Sequence, residues 1–295
     1  MQVNWGPVVT AMVTPFHENL EVHYDAAQAL AELLIQTGST GLVVSGTTGE
    51  SPTLTHEEKV TLFREVKNAV GNRAAVLAGT GTYDTAESVR LSQEAERAGV
   101  DGLLLVAPYY NRPSQEGLYQ HFRTIAHAVD LPVMIYNIPG RTGVNIEPAT
   151  LLRLAELNNV VAVKEASGNL NQMSEICAGA PDGFLVYSGD DSLTLPLLAV
   201  GGVGVVSVAS HVVGRDIRRM CEAFFAGQVQ EATKLHHRLL PLFKALFCTT
   251  NPVPVKAALN MMGAKVGGVR LPLVEANDRE KEIIRKALSE YGLLQ

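Results

Sequence analysis

Hydrophobic positions along the chain fall into two alternating rhythms. Short, nearly unbroken aliphatic runs recur: VVTAMVTP at 8–15, GLVVSG at 41–46, AAVLAGTG at 74–81, GLLLVAP at 102–108, PVMIYNIP at 132–139, VVAVKEAS at 160–167, FLVYSGDD at 184–191 and GVGVVSVAS at 202–210. Most are continuous rather than strictly alternating, which predicts parallel strands buried on both faces. Between most of them lie stretches with helical spacing. HEEKVTLFREVKNAVG places Val60, Phe63, Val66, Lys67 and Val70 near one face, with Gly71 as the stop signal, and TAESVRLSQEAERAG ends the same way at Gly99. The strand-to-strand step is about 30 residues, the size of a βα unit. The units share a pattern and not a sequence, so they do not read as a solenoid.

Eight such units predict an α/β fold, a (β/α)8 TIM barrel over 1–219. A doubly wound sheet satisfies the same count. After Ser210 the pattern becomes purely helical, from RDIRRMCEAFFAG to REKEIIRKALSEYGLL. Residues 220–295 therefore read as a C-terminal helical extension packed on the barrel, with no linker-like composition before it.

Composition narrows the function classes. The 295 residues are 46% hydrophobic and 18% charged, which suits a soluble protein with a sizeable core. The net charge of -6 and the absence of a basic block argue against a nucleic-acid partner. No apolar run has the length of a membrane span. The start, MQVNWGPVVTAMVTPF, has no positive n-region, so no secretion signal is expected. Cys177, Cys221 and Cys248 form no C-x-x-C motif, which points to a reducing, cytoplasmic setting.

In a barrel, chemistry collects where strands end. Those ends carry Thr14, the run Gly46-Thr47-Thr48-Gly49-Glu50, Pro108-Tyr109-Tyr110, Tyr136-Asn137, Lys164-Glu165 and Gly189-Asp190. Lys164 closes the apolar run VVAVK. Burial there disfavours the ammonium, and a neutral amine attacks carbonyl carbon; a lysine that snorkels to solvent is the plainer alternative. The turn SGTTGES can cradle a small anion with its amides and hydroxyls, or serve as an ordinary strand-to-helix turn. It lacks the Gly-Lys-Ser/Thr ending of a nucleotide loop. The tyrosine pair of PYYNRP reads as packing. Arg141 in YNIPGRTG is either a solvated charge or a fork for a carboxylate. The eight histidines are scattered without an H-E-x-x-H pair, and Asp190-Asp191 read as hydrogen-bonding or helix-capping residues. No dinucleotide fingerprint follows the first strand. An amine, phenols, hydroxyls and an arginine without metal or organic cofactor suit imine chemistry on a keto acid.

The ordered set GTTGES, APYYNRPSQEGLYQHF, YNIPGRTG, VKEASGNL, SGDD and NPVPVKAALNMMG spans nearly the whole chain. In order and spacing it resembles the dihydrodipicolinate synthase family and, more loosely, the N-acetylneuraminate lyases, both pyruvate-dependent class I aldolases. The resemblance implies that Lys164 forms a Schiff base with pyruvate and that Tyr136 is the acid/base. It implies a proton relay through Thr47 and Tyr110, with Tyr110 reaching into a neighbouring subunit. Thr48, helped by the backbone at Val206, would bind the pyruvate carboxylate, and Arg141 that of the second substrate. The implied reaction is condensation with L-aspartate 4-semialdehyde to 4-hydroxy-tetrahydrodipicolinate, the first committed step of diaminopimelate and lysine biosynthesis. GTTGE and GRTG favour the synthase, since a small amino aldehyde needs a charged anchor. A lyase-like aldolase and a catalytically silent scaffold barrel stand as alternatives.

The resemblance further implies a homotetramer built from tight dimers. It also implies an effector region for L-lysine comprising Ser51, Pro52, His56, Lys59, Tyr83, Glu87 and Tyr109. Glu87 and Tyr109 match the lysine-sensitive pattern, whereas Lys59 and Tyr83 stand where histidine and asparagine are typical. A cation at 59 near the effector's ammonium costs on the order of 1–4 kcal/mol. Weak or no inhibition is therefore expected.

Overall fold

The computed structural model describes residues 3–294. Strands form at all eight apolar runs: β1 (Val8–Ala11), β2 (Gly41–Val44), β3 (Ala75–Gly79), β4 (Gly102–Val106), β5 (Val133–Asn137), β6 (Val160–Glu165), β7 (Leu185–Ser188) and β8 (Gly204–Ser207). Each pairs in parallel with the next, and β8 returns to β1 through Val9 opposite Val206, which closes the barrel. That closure excludes the doubly wound sheet. The strands are shorter than the runs that announce them. An apolar run records burial, and the chain stays buried after the last ladder bond as it turns into the barrel mouth.

The helices are α1 (Tyr24–Gln36), α2 (His56–Val70), α3 (Thr85–Arg97), α4 (Gln115–Ala126), the short α5 (Pro139–Thr142), α6 (Pro148–Ala155), α7 (Leu170–Gly179), α8 (Thr194–Ala199) and α9 (Ser210–Phe225). Then come α10 (Val229–Ala245), α11 (Val253–Met261) and α12 (Asp278–Tyr291). In α2 the Thr55 hydroxyl and the Glu58 carboxylate form a reciprocal capping box, and Gly71 ends the helix at φ +58. Its buried side chains are Leu62, Phe63, Val66 and Val70. Lys67 is half-buried because its ammonium bonds the Gly71 carbonyl and Asp101, both within 2.9 Å. Helix α9 continues through position 219, so the barrel gives way to the extension only after Phe225. Among the described residues no helix is long and apolar enough to cross a membrane.

Side chains alternate between two cores. On β2, Val43 points into the barrel with Val9, Leu77, Leu104, Met134 and Val206, while Leu42 and Val44 pack under the helices. Strand β6 breaks this alternation. Val160 pairs with Val133 but Ala162 with Met134, so Val161 is an extra residue in a bulge. Val161 and Ala162 both pack in the barrel interior. Regular alternation from Val160 would turn Lys164 outward; the bulge shifts the phase, and Lys164 stands beside Tyr136 and Tyr187, its in-register neighbours.

Candidate active site

Lys164 is 5% exposed at the end of β6, with its Nζ 4.1 Å from the centre of the Tyr136 ring. Gly189, at the end of β7, makes room for it: a Cβ there would lie 3.2 Å from Lys164 Cγ and Cε and 2.6 Å from Ala166 Cβ. Burial pulls the Lys164 amine down from its ordinary value to about 7. The Asp191 carboxylate acts against this shift and the Arg141 guanidinium adds to it. The buried amine is thus substantially neutral near neutral pH, as a nucleophile requires.

Tyr136 is pushed up to about 12 by burial, with Arg141 and the Thr47 hydroxyl acting in the opposite sense. Its phenol keeps a proton for donation at neutral pH. A cavity of about 210 Å³ opens above the pair, lined by Thr47, Tyr109, Tyr136, Ile138 and Arg141 among others. Lys164 lies one side chain deeper, against the Tyr136 ring.

The carboxyl of Asp191 is buried and raised by burial, although it accepts hydrogen bonds from Ser207 Oγ and from the amides of Val208 and Ala209. Asp190 accepts from Ser192 N and Oγ, each at 2.7 Å, as expected of a capping residue. Asp191 therefore does more than the sequence suggested, since its charge bears on Lys164.

Thr48 is buried, and its hydroxyl accepts a hydrogen bond from Asn251 Nδ2 at 2.9 Å. Arg141 Nη2 donates to the Asn251 carbonyl at 3.3 Å. Val206 is buried within β8. The residue after Thr48-Gly49 is equally constrained. Glu50 is buried at φ +57, with Oε1 2.7 Å from Lys256 Nζ and Oε2 accepting from the Arg270 amide at 2.9 Å. Lys256 is a second buried amine, pulled down to about 8 by burial against the influence of Glu50. It also donates to the Gly268 carbonyl at 2.6 Å and sits 4.0 Å from the Phe16 ring, so it is fully engaged. Asn251 and Lys256 belong to NPVPVKAALNMMG, but nothing in that motif's composition points to the mouth of the barrel.

Tyr110 stands apart from this group. It is 93% exposed at φ +73 and contributes nothing to the cavity wall of its own chain. Within one chain, Thr47 and Tyr136 thus meet at the cavity and Tyr110 does not join them. The packing expected of the tyrosine pair is found elsewhere: Tyr109 meets Tyr83 edge-on at 5.2 Å.

The expected effector residues form a charged cluster beside the mouth. His56 bridges Glu87 and Glu94 at 2.9 Å each, and Arg90 pairs with Glu87 at 2.7 Å. Burial pulls the half-buried Lys59 amine down, while Glu87 acts against that shift. Ser51 and Pro52 line the cavity itself. Glu87, expected to receive an ammonium, already serves His56 and Arg90.

A model of the dihydrodipicolinate synthetase family matches residues 4–291. The chain belongs to this family. It is 64% identical over 292 residues to the 4-hydroxy-tetrahydrodipicolinate synthase of Moorella thermoacetica, covering 99% of this chain and 100% of that one. Among solved structures, the dihydrodipicolinate synthase of Bacillus anthracis superposes with a TM-score of 0.96 at 49% identity, covering 97% of this chain and 98% of that one. The synthase of Cyanidioschyzon merolae, solved with lysine bound, gives 0.97 at 49% identity over 98% of this chain and 99% of that one. The family membership agrees with the resemblance read from the six motifs.

Proposed function

We propose that this chain is a lyase that condenses pyruvate with L-aspartate 4-semialdehyde to 4-hydroxy-tetrahydrodipicolinate, at the entry to diaminopimelate and lysine biosynthesis. The observation that carries the reading is the buried Lys164 amine, held at about 7 against the protonated Tyr136 phenol. The neutral amine attacks the keto carbon of pyruvate. Tyr136 supplies the proton that lets water leave the carbinolamine. The iminium then draws electrons from the adjacent methyl, which loses a proton to give an enamine. The enamine carbon adds to the aldehyde, and the amino group of the second substrate displaces Lys164 as the ring closes. The lysine imine serves as the electron sink, so the reading needs no metal or organic cofactor. Thr48 and the backbone at Val206 suit the pyruvate carboxylate, and Arg141 suits that of the second substrate.

An arginine at the cavity wall favours a small charged aldehyde over a polyhydroxylated sugar. A coupled assay decides. Turnover is expected with pyruvate and aspartate semialdehyde, and none with N-acetylneuraminate; the reverse pattern overturns the assignment.

The reading extends to a cytoplasmic homotetramer of tight dimers, in which the exposed Tyr110 enters a neighbour's site and completes the relay. A large exposed aromatic at the tip of a loop gains from burial of this kind. L-Lysine is expected to inhibit weakly or not at all, because Glu87 is already paired, Lys59 adds a cation and Tyr83 fills space with a ring. Initial rates against L-lysine at fixed pyruvate measure this. Half-inhibition below millimolar lysine would show that the cluster still accepts the effector.

A further inference from the structure

On the outer face of β5 and β6, behind the reacting pair, lies a polar cluster that the mechanism above does not use. Asn137 and Glu165 pair in register one residue beyond Tyr136 and Lys164, so they point away from the barrel interior. Both are fully buried. The Glu165 carboxylate accepts from Asn137 Nδ2 at 3.0 Å, from the Ser167 amide at 2.7 Å and from Gln172 Nε2 at 3.2 Å. Asn137 Nδ2 also reaches Asn145 Oδ1 at 2.8 Å, and its Oδ1 accepts from the Ile146 amide at 3.0 Å. Asn145 Nδ2 donates to Gln172 Oε1 at 2.9 Å.

Residues 137 and 145–146 are the two ends of the turn that carries Arg141. Little else holds that arginine: its side chain is exposed and makes a long 3.3 Å bond to the Asn251 carbonyl. Where its guanidinium stands over the cavity therefore depends on where the turn is anchored. One anchor is the same pair of strands that delivers Tyr136 and Lys164; from the segment after β4, Arg112 Nε donates to the Gly143 carbonyl at 3.0 Å and Gln115 Nε2 to the Asn145 carbonyl at 2.8 Å. A carboxylate held by N–H donors on three sides makes a stiff knot, because each donor left unpaired in a buried site is costly.

We propose that Asn145, Asn137, Glu165 and Gln172 are positioning residues that fix Arg141 relative to Lys164, and so set recognition of the second substrate's carboxylate. This deepens the functional reading above and rests on it. The half-buried Asn145 is the link that can be cut without opening the buried carboxylate.

The test is steady-state kinetics of Asn145→Ala, Arg141→Ala and the double variant, with pyruvate–borohydride trapping on each. Asn145→Ala is expected to raise KM for aspartate semialdehyde about tenfold, with pyruvate KM and trapping at Lys164 unchanged. In the Arg141→Ala background it should add little, since both changes remove one function. Glu165→Gln, which turns an N–H toward N–H donors, should give the same split wherever it folds. Equal changes in both KM values, no change in either, or additive losses would overturn the proposal. A native chain that forms no pyruvate adduct would sink the functional reading instead, so the two failures are distinguishable.

Discussion

Replacing Lys164 by methionine is expected to abolish the pyruvate–borohydride adduct and to lower turnover by about 10³-fold or more. Methionine matches the length of the lysine stem and suits a site that is 5% exposed, so the fold should survive while the nucleophile is lost. The native chain adds a pH signature. An ordinary lysine leaves roughly one amine in a few thousand neutral at pH 7. Burial brings Lys164 down to about 7, so the neutral form is the minority below that pH and the majority above it. The rate of imine formation should therefore climb between about pH 6 and 8 and then level off. A flat profile across that window contradicts the assignment. Mass spectrometry locates the adduct, and Lys256 is the informative control: it too is buried and lowered, but Glu50 and the Gly268 carbonyl occupy its ammonium. An adduct on Lys256 would transfer the nucleophile's role to it.

Tyr136→Phe should lower kcat by about 10²–10⁴-fold, the range of a positioned acid/base, while pyruvate binding changes little. The ring packs in the barrel interior and against Lys164 Nζ, and phenylalanine preserves both contacts. Only the hydroxyl is lost. Burial raises that phenol to about 12, so at neutral pH it enters the cycle protonated and donates first. Thr47, whose hydroxyl acts to lower that phenol, is the residue we propose for return of the proton. Steady-state kinetics with a pyruvate-binding measurement separate the two effects, and unchanged kcat would leave Tyr136 a packing residue.

The strands were legible because parallel strands buried on both faces must be continuously apolar, and no other element of that length need be. Their ends were not, since Met12 and Val13 are as buried as the strand before them. Lys164 stood out as a lysine closing an apolar run, but its direction depends on the bulge at Val161, and four apolar residues in a row conceal any change of phase. Thr47, Tyr136 and Arg141 line one cavity because strand ends and the turns that follow them meet at a barrel mouth. Asn251 and Lys256 were beyond reach for a different reason. They meet Thr48 and Glu50 across 203 and 206 residues of sequence, and no periodicity encodes such a contact. The hydrogen-bonding role expected of Asp191 is present, but its influence on Lys164 acts through space and leaves no mark in the local sequence.

The bulge in β6 gives that strand something like a reading frame with one free position. Losing Val161 would make the alternation from Val160 regular and leave Lys164 facing the barrel axis, so a change of length by one residue can be absorbed there. The same loss between Ala162 and Lys164 would turn the amine outward and carry Glu165 inward. The strand thus tolerates a change of one residue on one side of Ala162 and requires a fixed count on the other.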